Sequence, residues 1–248
     1  MTEKLGLLLN PEAASMADIH ALGDTDLHIW HLELKLNKKQ SETALSLLSD
    51  IQRDKYHRRK SEALKHQYLA GRYYLLTLLG AYTKQRPEDI LLSYSRLNKP
   101  SLSNSELGLE FNFTDTDGHG MFVFSKHRQV GVDLERLDRR INIAAIAERR
   151  FTEQELQYAN HNGAFDQRRG IAIWTRKEAY GKATGQGINF KMNQRNLFSD
   201  SHETHQYQFI DDQQRAWTCI QLSTQQHIAS VVYESHAPLK LSSFDSLN

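Results

Sequence analysis

The sequence has few of the features that mark secreted, cysteine-rich or membrane proteins. Cys219 is the only cysteine among 248 residues, which excludes an internal disulfide and a zinc site built from several cysteines. This usage is typical of a reducing compartment. The apolar run at residues 5–9 is too short for a signal-peptide core, and no stretch is long enough to span a membrane. We therefore expect a cytoplasmic protein that does not bind membranes.

The chain also lacks an excess of charge of either sign. Its formal net charge is +1, with 25% charged and 39% hydrophobic residues, which is ordinary for a soluble globular protein. A near-neutral molecule has no general electrostatic attraction to nucleic acid, so we expect no nucleic-acid partner. The length suits one large domain or two modest ones, each able to bury a core.

Hydrophobic periodicity predicts a mixture of helices and strands. Leu64, Tyr68, Leu75 and Leu79 recur at helical spacing and predict a long helix over residues 61–84. Shorter helices are predicted at residues 41–50, 152–158 and 171–183. Strands are predicted at residues 27–34, 109–113, 121–125, 130–134, 216–222 and 227–234. This order favours an α+β fold over a parallel α/β sheet.

The first motif with chemical potential is the segment Val-Gly-Val-Asp-Leu-Glu at residues 130–135. On a strand, alternate side chains share a face, so Asp133 and Glu135 point together, away from the apolar residues between them. Two carboxylates on one face suit a hard divalent cation, and Gly131 would leave room for a bulky ligand. Taken alone, the segment is more typical of an exposed strand face with solvated acids.

The second motif is Trp-Thr-Arg-Lys-Glu-Ala-Tyr-Gly-Lys at residues 174–182. On a helix, Trp174, Glu178 and Lys182 are four residues apart and share one face. A carboxylate and an amine one turn apart can serve a metal-bound phosphate. Taken alone, the pair is more typical of a routine salt bridge beside a core tryptophan.

Together the motifs are more specific. Gly-Val-Asp-Leu-Glu, then Phe151 and Glu155, then Trp-x-x-Lys-Glu-Ala-x-x-Lys resemble, in order and spacing, the 4′-phosphopantetheinyl transferase superfamily. The length resembles the Sfp-type branch. The resemblance implies two similar α+β halves, a pseudo-dimer within one chain, with the active site at their interface. Residues 1–114 would form the N-terminal half, residues 115–235 the C-terminal half with the magnesium-binding motifs, and residues 236–248 a polar tail.

The resemblance also implies a site. Asp133, Glu135 and Glu178 match the magnesium ligands, and Glu178 also matches a proposed general base. Lys182 and Lys177 match lysines of the catalytic phosphate region. The residues that would bind coenzyme A are Lys55, Lys99, Pro100, Thr114 and Lys182. Asp115 and Gln67 depart from the pattern, because the family places a histidine and often an arginine there. Glu155 also fits a capping box with Thr152, a role at least as well supported as catalysis.

The implied function is magnesium-dependent transfer of the 4′-phosphopantetheine arm of coenzyme A to a serine of an acyl or peptidyl carrier protein. Arg136, Arg139, Arg140 and Arg176 are candidate contacts to an acidic carrier. A monomer is expected to suffice. Two alternatives stay open: a carrier- or nucleotide-binding homologue with weakened catalysis, motivated by Asp115 and Gln67, and a magnesium-dependent phosphotransferase that uses another nucleotide.

Overall fold

The fold is taken from a computed structural model of the chain. It describes residues 12–14, 22–103, 106–138, 142–187, 191–197, 206–235 and 240–247. Within these ranges no helix has the length and apolar character needed to cross a bilayer.

Runs of helices and runs of strands follow one another along the described chain, which agrees with the predicted α+β class. The helices are α1 Lys38–Leu47, α2 Asp50–His57, α3 Glu62–Thr83, α4 Ile143–Arg150, α5 Glu153–Ala159 and α6 Gln167–Ala183. The first strands are β1 Glu12–Ala14, β2 Asp26–Glu33, β3 Leu92–Tyr94, β4 Pro100–Leu102, β5 Leu109–Thr116, β6 His119–Lys126 and β7 Val130–Arg136. The later strands are β8 Asn160–His161, β9 Ala164–Phe165, β10 Gln206–Ile210, β11 Ala216–Ser223, β12 His227–Glu234 and β13 Lys240–Leu247.

Two sheets form the body of the protein. The first has the strand order β1-β13-β2-β6-β5 and the second the order β10-β11-β12-β7. One face of the first sheet packs against one face of the second through a core that includes Ile29, Val123, Val132 and Val231. Helix α3 covers the outer face of the first sheet, and α6 covers the outer face of the second. The layers therefore run helix, sheet, sheet, helix.

Capping residues explain where several helices begin. Ser49 accepts a hydrogen bond from the Gln52 amide and completes a capping box, so the predicted single helix at residues 41–50 is replaced by α1 and α2. The side chain of Ser61 caps α3. Helix α3 ends at Lys84, whose backbone is left-handed.

Strands β5, β6 and β13 correct the predicted division of the chain. The boundary between residues 114 and 115 falls inside β5, and β6 also belongs to the first sheet. The chain passes to the second sheet only between β6 and β7. Residues 240–247 of the predicted polar tail form β13, which pairs with β2 in the first sheet. Its Phe244 ring stacks on Trp30 at a centroid distance of 4.3 Å.

Strand β7 alternates as predicted, but Gly131 has a different role from the expected one. Val130, Val132 and Leu134 face the core between the sheets. A Cβ atom at Gly131 would lie 2.1 Å from the Ala179 carbonyl oxygen and 2.3 Å from the Ala183 nitrogen. The space beside Gly131 is therefore filled by the backbone of α6 and is not free for a ligand.

A buried ion pair fixes α6 to the chain that follows it. The ammonium group of Lys177, which is fully buried, lies 2.7 Å from a carboxylate oxygen of Glu155. It also donates hydrogen bonds to the carbonyls of Met192 and Arg195. The other Glu155 oxygen accepts from the Leu197 amide at 2.8 Å. The pair thereby ties α5, α6 and residues 192–197 together.

We expect Gly131→Ala to destabilise the protein by about 1–3 kcal/mol, because the added methyl group must push β7 away from the α6 backbone. Urea unfolding followed by circular dichroism measures the change. Gly71→Ala is the control, since a Cβ atom there meets nothing within 4 Å and the residue lies inside α3. Equal unfolding midpoints for Gly131→Ala and the wild-type protein would contradict the close packing of β7 on α6.

We expect Lys177→Met to lower the free energy of unfolding by about 3–5 kcal/mol, because it leaves the Glu155 carboxylate buried without its cation. The same denaturation experiment measures the loss. Lys191→Met makes the same change at an exposed position in the segment that the pair holds, and should alter stability by less than about 0.5 kcal/mol. Similar losses in the two variants would argue against the ion pair.

Candidate active site

Three carboxylates meet where β7 packs against α6. Asp133 and Glu135 project from β7 on the face opposite the core, and both are buried. Glu178 projects from α6 and is half-buried. One oxygen of Asp133 and one of Glu178 are buried without a hydrogen-bond partner in the described part of the chain. Buried oxygens of this kind are costly unless a ligand binds them.

The pKa of Glu178 reflects its burial and the charges around it. Burial, together with the charges of Asp133 and Glu135, raises this pKa to about 7, while Lys182 opposes the shift. A carboxyl group whose pKa is shifted by burial and like charges is typical of functional sites. Among the described ranges no three His, Cys, Asp or Glu side chains are already arranged as a metal site. The unpartnered oxygens are nevertheless the hard donors that a divalent cation prefers.

Lys182 links the carboxylates to strand β5. Its ammonium group lies 2.7 Å from Asp133 and donates to the Thr114 hydroxyl at 3.1 Å. It also donates to the Val132 carbonyl at 3.1 Å. The Thr114 hydroxyl in turn donates to Asp133 at 3.3 Å. The structure therefore brings together Asp133, Thr114 and Lys182, which the sequence assigned to metal and coenzyme A binding.

One side of this junction opens into a cavity of about 450 Å³, here called the basic cavity. Its cationic lining residues are Lys55, Arg59, Arg72, Lys99 and Lys182, and none of the described residues around it is acidic. Pro100 and the rings of Tyr68, Tyr94 and Phe113 form apolar walls. Cations and flat rings in one cavity suit a phosphorylated nucleotide. Lys55, Lys99 and Pro100 therefore occupy one cavity, as their assignment to a single ligand requires.

Arg59 and Arg72 belong to this cavity although the assigned ligand set omitted both. Their guanidinium groups flank the Tyr68 ring, at 5.0 Å and 5.3 Å from its centroid. One terminal nitrogen of Arg72 is buried without a hydrogen-bond partner in the described residues, so it has a donor free for an anion. The sequence could have indicated Arg72, because Tyr68 and Arg72 are four residues apart and share one helix face.

The other side of the junction opens into a cavity of about 580 Å³, here called the acidic cavity. Its acidic lining residues are Asp115, Asp117, Asp133, Glu135 and Asp138. Thr114, Gln67 and Leu64 complete one wall. Arg136 also lines the cavity, but its guanidinium group is paired with Asp117 and Asp138.

Several expected site residues lie elsewhere. Lys177 does not reach either cavity, because Glu155 and two carbonyl groups enclose its ammonium group. Glu155 completes the capping box with Thr152 and accepts from the Thr152 amide at 2.8 Å. Arg176 is buried and donates to Gln221, so it cannot meet a carrier surface. Arg139 and Arg140 lie outside the described residues.

Comparison with known proteins gives a consistent family. A sequence model of the 4′-phosphopantetheinyl transferase superfamily matches residues 129–232, which include β7 and α6. The 4′-phosphopantetheinyl transferase HetI of Nostoc sp. is 29% identical over 167 residues, covering 66% of this chain and 70% of that protein. A putative 4′-phosphopantetheinyl transferase of Synechocystis sp. is 28% identical over 169 residues, 67% of this chain and 68% of that protein.

A more distant eukaryotic relative matches more of the chain. The phosphopantetheinyl transferase of Thraustochytrium sp. is 26% identical over 206 residues, covering 77% of this chain and 71% of that protein. The matched family segment contains Asp133, Glu135, Glu178 and Lys182, the residues that meet at the junction between the cavities. The family model and these relatives support assignment of the chain to the 4′-phosphopantetheinyl transferase superfamily, as an enzyme of that class.

Proposed function

We propose that this chain transfers the 4′-phosphopantetheine arm of coenzyme A to a serine of an acyl or peptidyl carrier protein, and that the reaction depends on Mg²⁺. The observation that carries the proposal is the junction itself. Unpartnered oxygens of Asp133 and Glu178 lie beside Lys182, between a cavity lined by cations and one lined by acids. A diphosphate at this junction would meet an ammonium group and a set of carboxylates that need a cation.

The basic cavity would bind the nucleotide end of coenzyme A. Lys55, Arg59 and Arg72 supply charge for its phosphates, and Tyr94 and Pro100 offer apolar surfaces to its adenine. The ammonium group of Lys99 donates to the Ala183 carbonyl at 2.7 Å, and burial lowers the pKa of Lys99. Lys99 would thus hold the end of α6 against the cavity wall, beside the nucleotide.

Asp133, Glu135 and Glu178 would hold the metal ion. The fit rests on the oxygen donors and on the two buried oxygens that have no partner in the described residues. Mg²⁺ bound there would neutralise charge on the diphosphate and on the transition state. Lys182, already 2.7 Å from Asp133, would then turn toward the phosphate oxygens.

The chain's own residues would carry out the proton transfer. Glu178 would accept the proton of the carrier serine, directly or through a water molecule. The serine oxygen would then form a bond to the phosphorus that bears the arm. The bond from this phosphorus to the bridging oxygen would break, and adenosine 3′,5′-bisphosphate would leave. Lys182 would stabilise the charge on the departing oxygen.

We also propose an arrangement of two similar halves within a monomer. Each sheet with its outer helix would be one of two similar halves, and the active site would lie in the cleft between them. Both cavities are lined by residues of a single chain, so a monomer would suffice. The paired state of Arg136 and the burial of Arg176 leave both with little to offer an acidic carrier.

Incubation of the chain with coenzyme A, Mg²⁺ and a purified carrier protein, followed by mass spectrometry of the carrier, tests the function. The expected result is a mass increase of one phosphopantetheine group on the carrier. A carrier that is bound but not modified would indicate a binding homologue, and modification only with another nucleotide would indicate a different phosphotransferase.

We expect Glu178→Gln to slow transfer by about 10²–10⁴-fold, because the amide cannot accept the serine proton and binds a cation weakly. The initial rate of carrier modification measures the change. Glu153→Gln makes the same substitution at an exposed position on α5 and should transfer at the wild-type rate. A Glu178→Gln rate close to that of Glu153→Gln would remove Glu178 from the mechanism.

We expect the Mg²⁺ concentration for half-maximal transfer to rise as the pH falls below about 7. In the metal-free chain the pKa of Glu178 is raised to about 7, so protons compete with the cation below that pH and not above it. The increase should approach about tenfold per pH unit. Magnesium titrations at about pH 6, 7 and 8 measure it. The same half-maximal concentration at all three pH values would contradict metal binding by Glu178.

A further inference from the structure

The two residues that depart from the family pattern are in contact with each other. The side-chain amide nitrogen of Gln67, on α3, donates a hydrogen bond to the carboxylate of Asp115, on β5. The amide oxygen of Gln67 accepts from the Gly118 backbone amide at 3.2 Å. Because the Gly118 N–H group requires the Gln67 oxygen, the amide nitrogen must face Asp115. The orientation of the Gln67 amide is therefore fixed by the turn between β5 and β6.

This arrangement fixes a carboxylate on the wall of the acidic cavity. Asp115 is exposed, while its neighbour Thr114 points to Asp133 and Lys182. Gln67 is half-buried and lines the same cavity. A carboxylate there repels phosphate, but it is a strong acceptor for hydroxyl and amide N–H groups.

The position of Lys182 decides which part of coenzyme A meets Asp115. Lys182 lines the basic cavity, while its partners Thr114 and Asp133 line the acidic cavity. A diphosphate at Lys182 with its nucleotide in the basic cavity directs the other end of the molecule toward the acidic cavity. That end is the uncharged arm, which carries a hydroxyl group and amide N–H groups.

We propose that Asp115, positioned by Gln67, binds the pantetheine arm by accepting a hydrogen bond from its hydroxyl or amide N–H group, and so determines specificity for the arm. The inference rests on the proposed function, because it requires coenzyme A to cross the junction at Lys182. Asp115 acts on the arm and not on the nucleotide, since it lines the acidic cavity and none of the described residues that line the basic cavity is acidic.

Two ligands that differ only in the arm test this division. Calorimetry gives the Kd of the wild-type chain for coenzyme A and for adenosine 3′,5′-bisphosphate, which has the nucleotide but no arm. Asp115→Ala should weaken coenzyme A binding by roughly tenfold and leave the Kd of the bisphosphate within about twofold. A coenzyme A analogue without the hydroxyl group then separates the two donors: the wild-type chain loses affinity for it if the hydroxyl group is the one bound.

Gln67 is tested through its dependence on Asp115. Gln67→Ala should raise the KM for coenzyme A with little change in kcat, and should have no further effect in the Asp115→Ala background. A purely structural Gln67 would produce equal effects in both backgrounds.

Three outcomes would overturn the inference. These are unchanged coenzyme A affinity in Asp115→Ala, a parallel change for the bisphosphate, and additive effects of the two substitutions. If the wild-type chain modifies its carrier normally while any of these holds, the proposed function stands and only the role of Asp115 fails. A wild-type chain that transfers nothing removes both.

Discussion

The close approach of β7 to α6 is the constraint on which the active site depends. Because Gly131 has no side chain, the α6 backbone occupies the space that a Cβ atom would fill. This contact brings the Asp133 and Glu135 carboxylates from the strand next to Glu178 from the helix. Burial, together with the charges of Asp133 and Glu135, raises the pKa of Glu178 to about 7. The packing of β7 on α6 therefore gathers carboxylates whose negative charge a bound cation would neutralise.

The proposed function rests on two cavities that share one boundary. The basic cavity presents cations and rings, and the acidic cavity, which has the larger volume, presents carboxylates. Lys182 contacts Asp133 and Thr114 at the boundary, so the charge changes sign within a few ångströms. This change would orient a molecule that is charged at one end and uncharged at the other. In the proposed function, the phosphorus atom to be transferred would lie where the two ends join.

Much of the fold could be predicted from local patterns, because helical and strand periodicities act over a few residues. The face of β7, the long helix α3 and the capping box at Thr152 are examples. Contacts between distant residues could not be predicted in the same way. The pairing of β13 with β2, the filling of the space at Gly131 by α6 and the bond between Gln67 and Asp115 depend on tertiary packing.

Lys177 and Glu178 show that adjacent residues of one motif can have different roles, which only the tertiary structure distinguishes. They are adjacent in sequence, and the family resemblance assigned both to the chemistry. On a helix, adjacent side chains point about 100° apart, so only one of them can face the junction. Glu178 faces Asp133 and Glu135, while Lys177 faces Glu155 and the carbonyls of Met192 and Arg195. One half of the motif therefore places the Glu178 carboxylate at the junction, and the other half holds α6 in position through its buried ion pair.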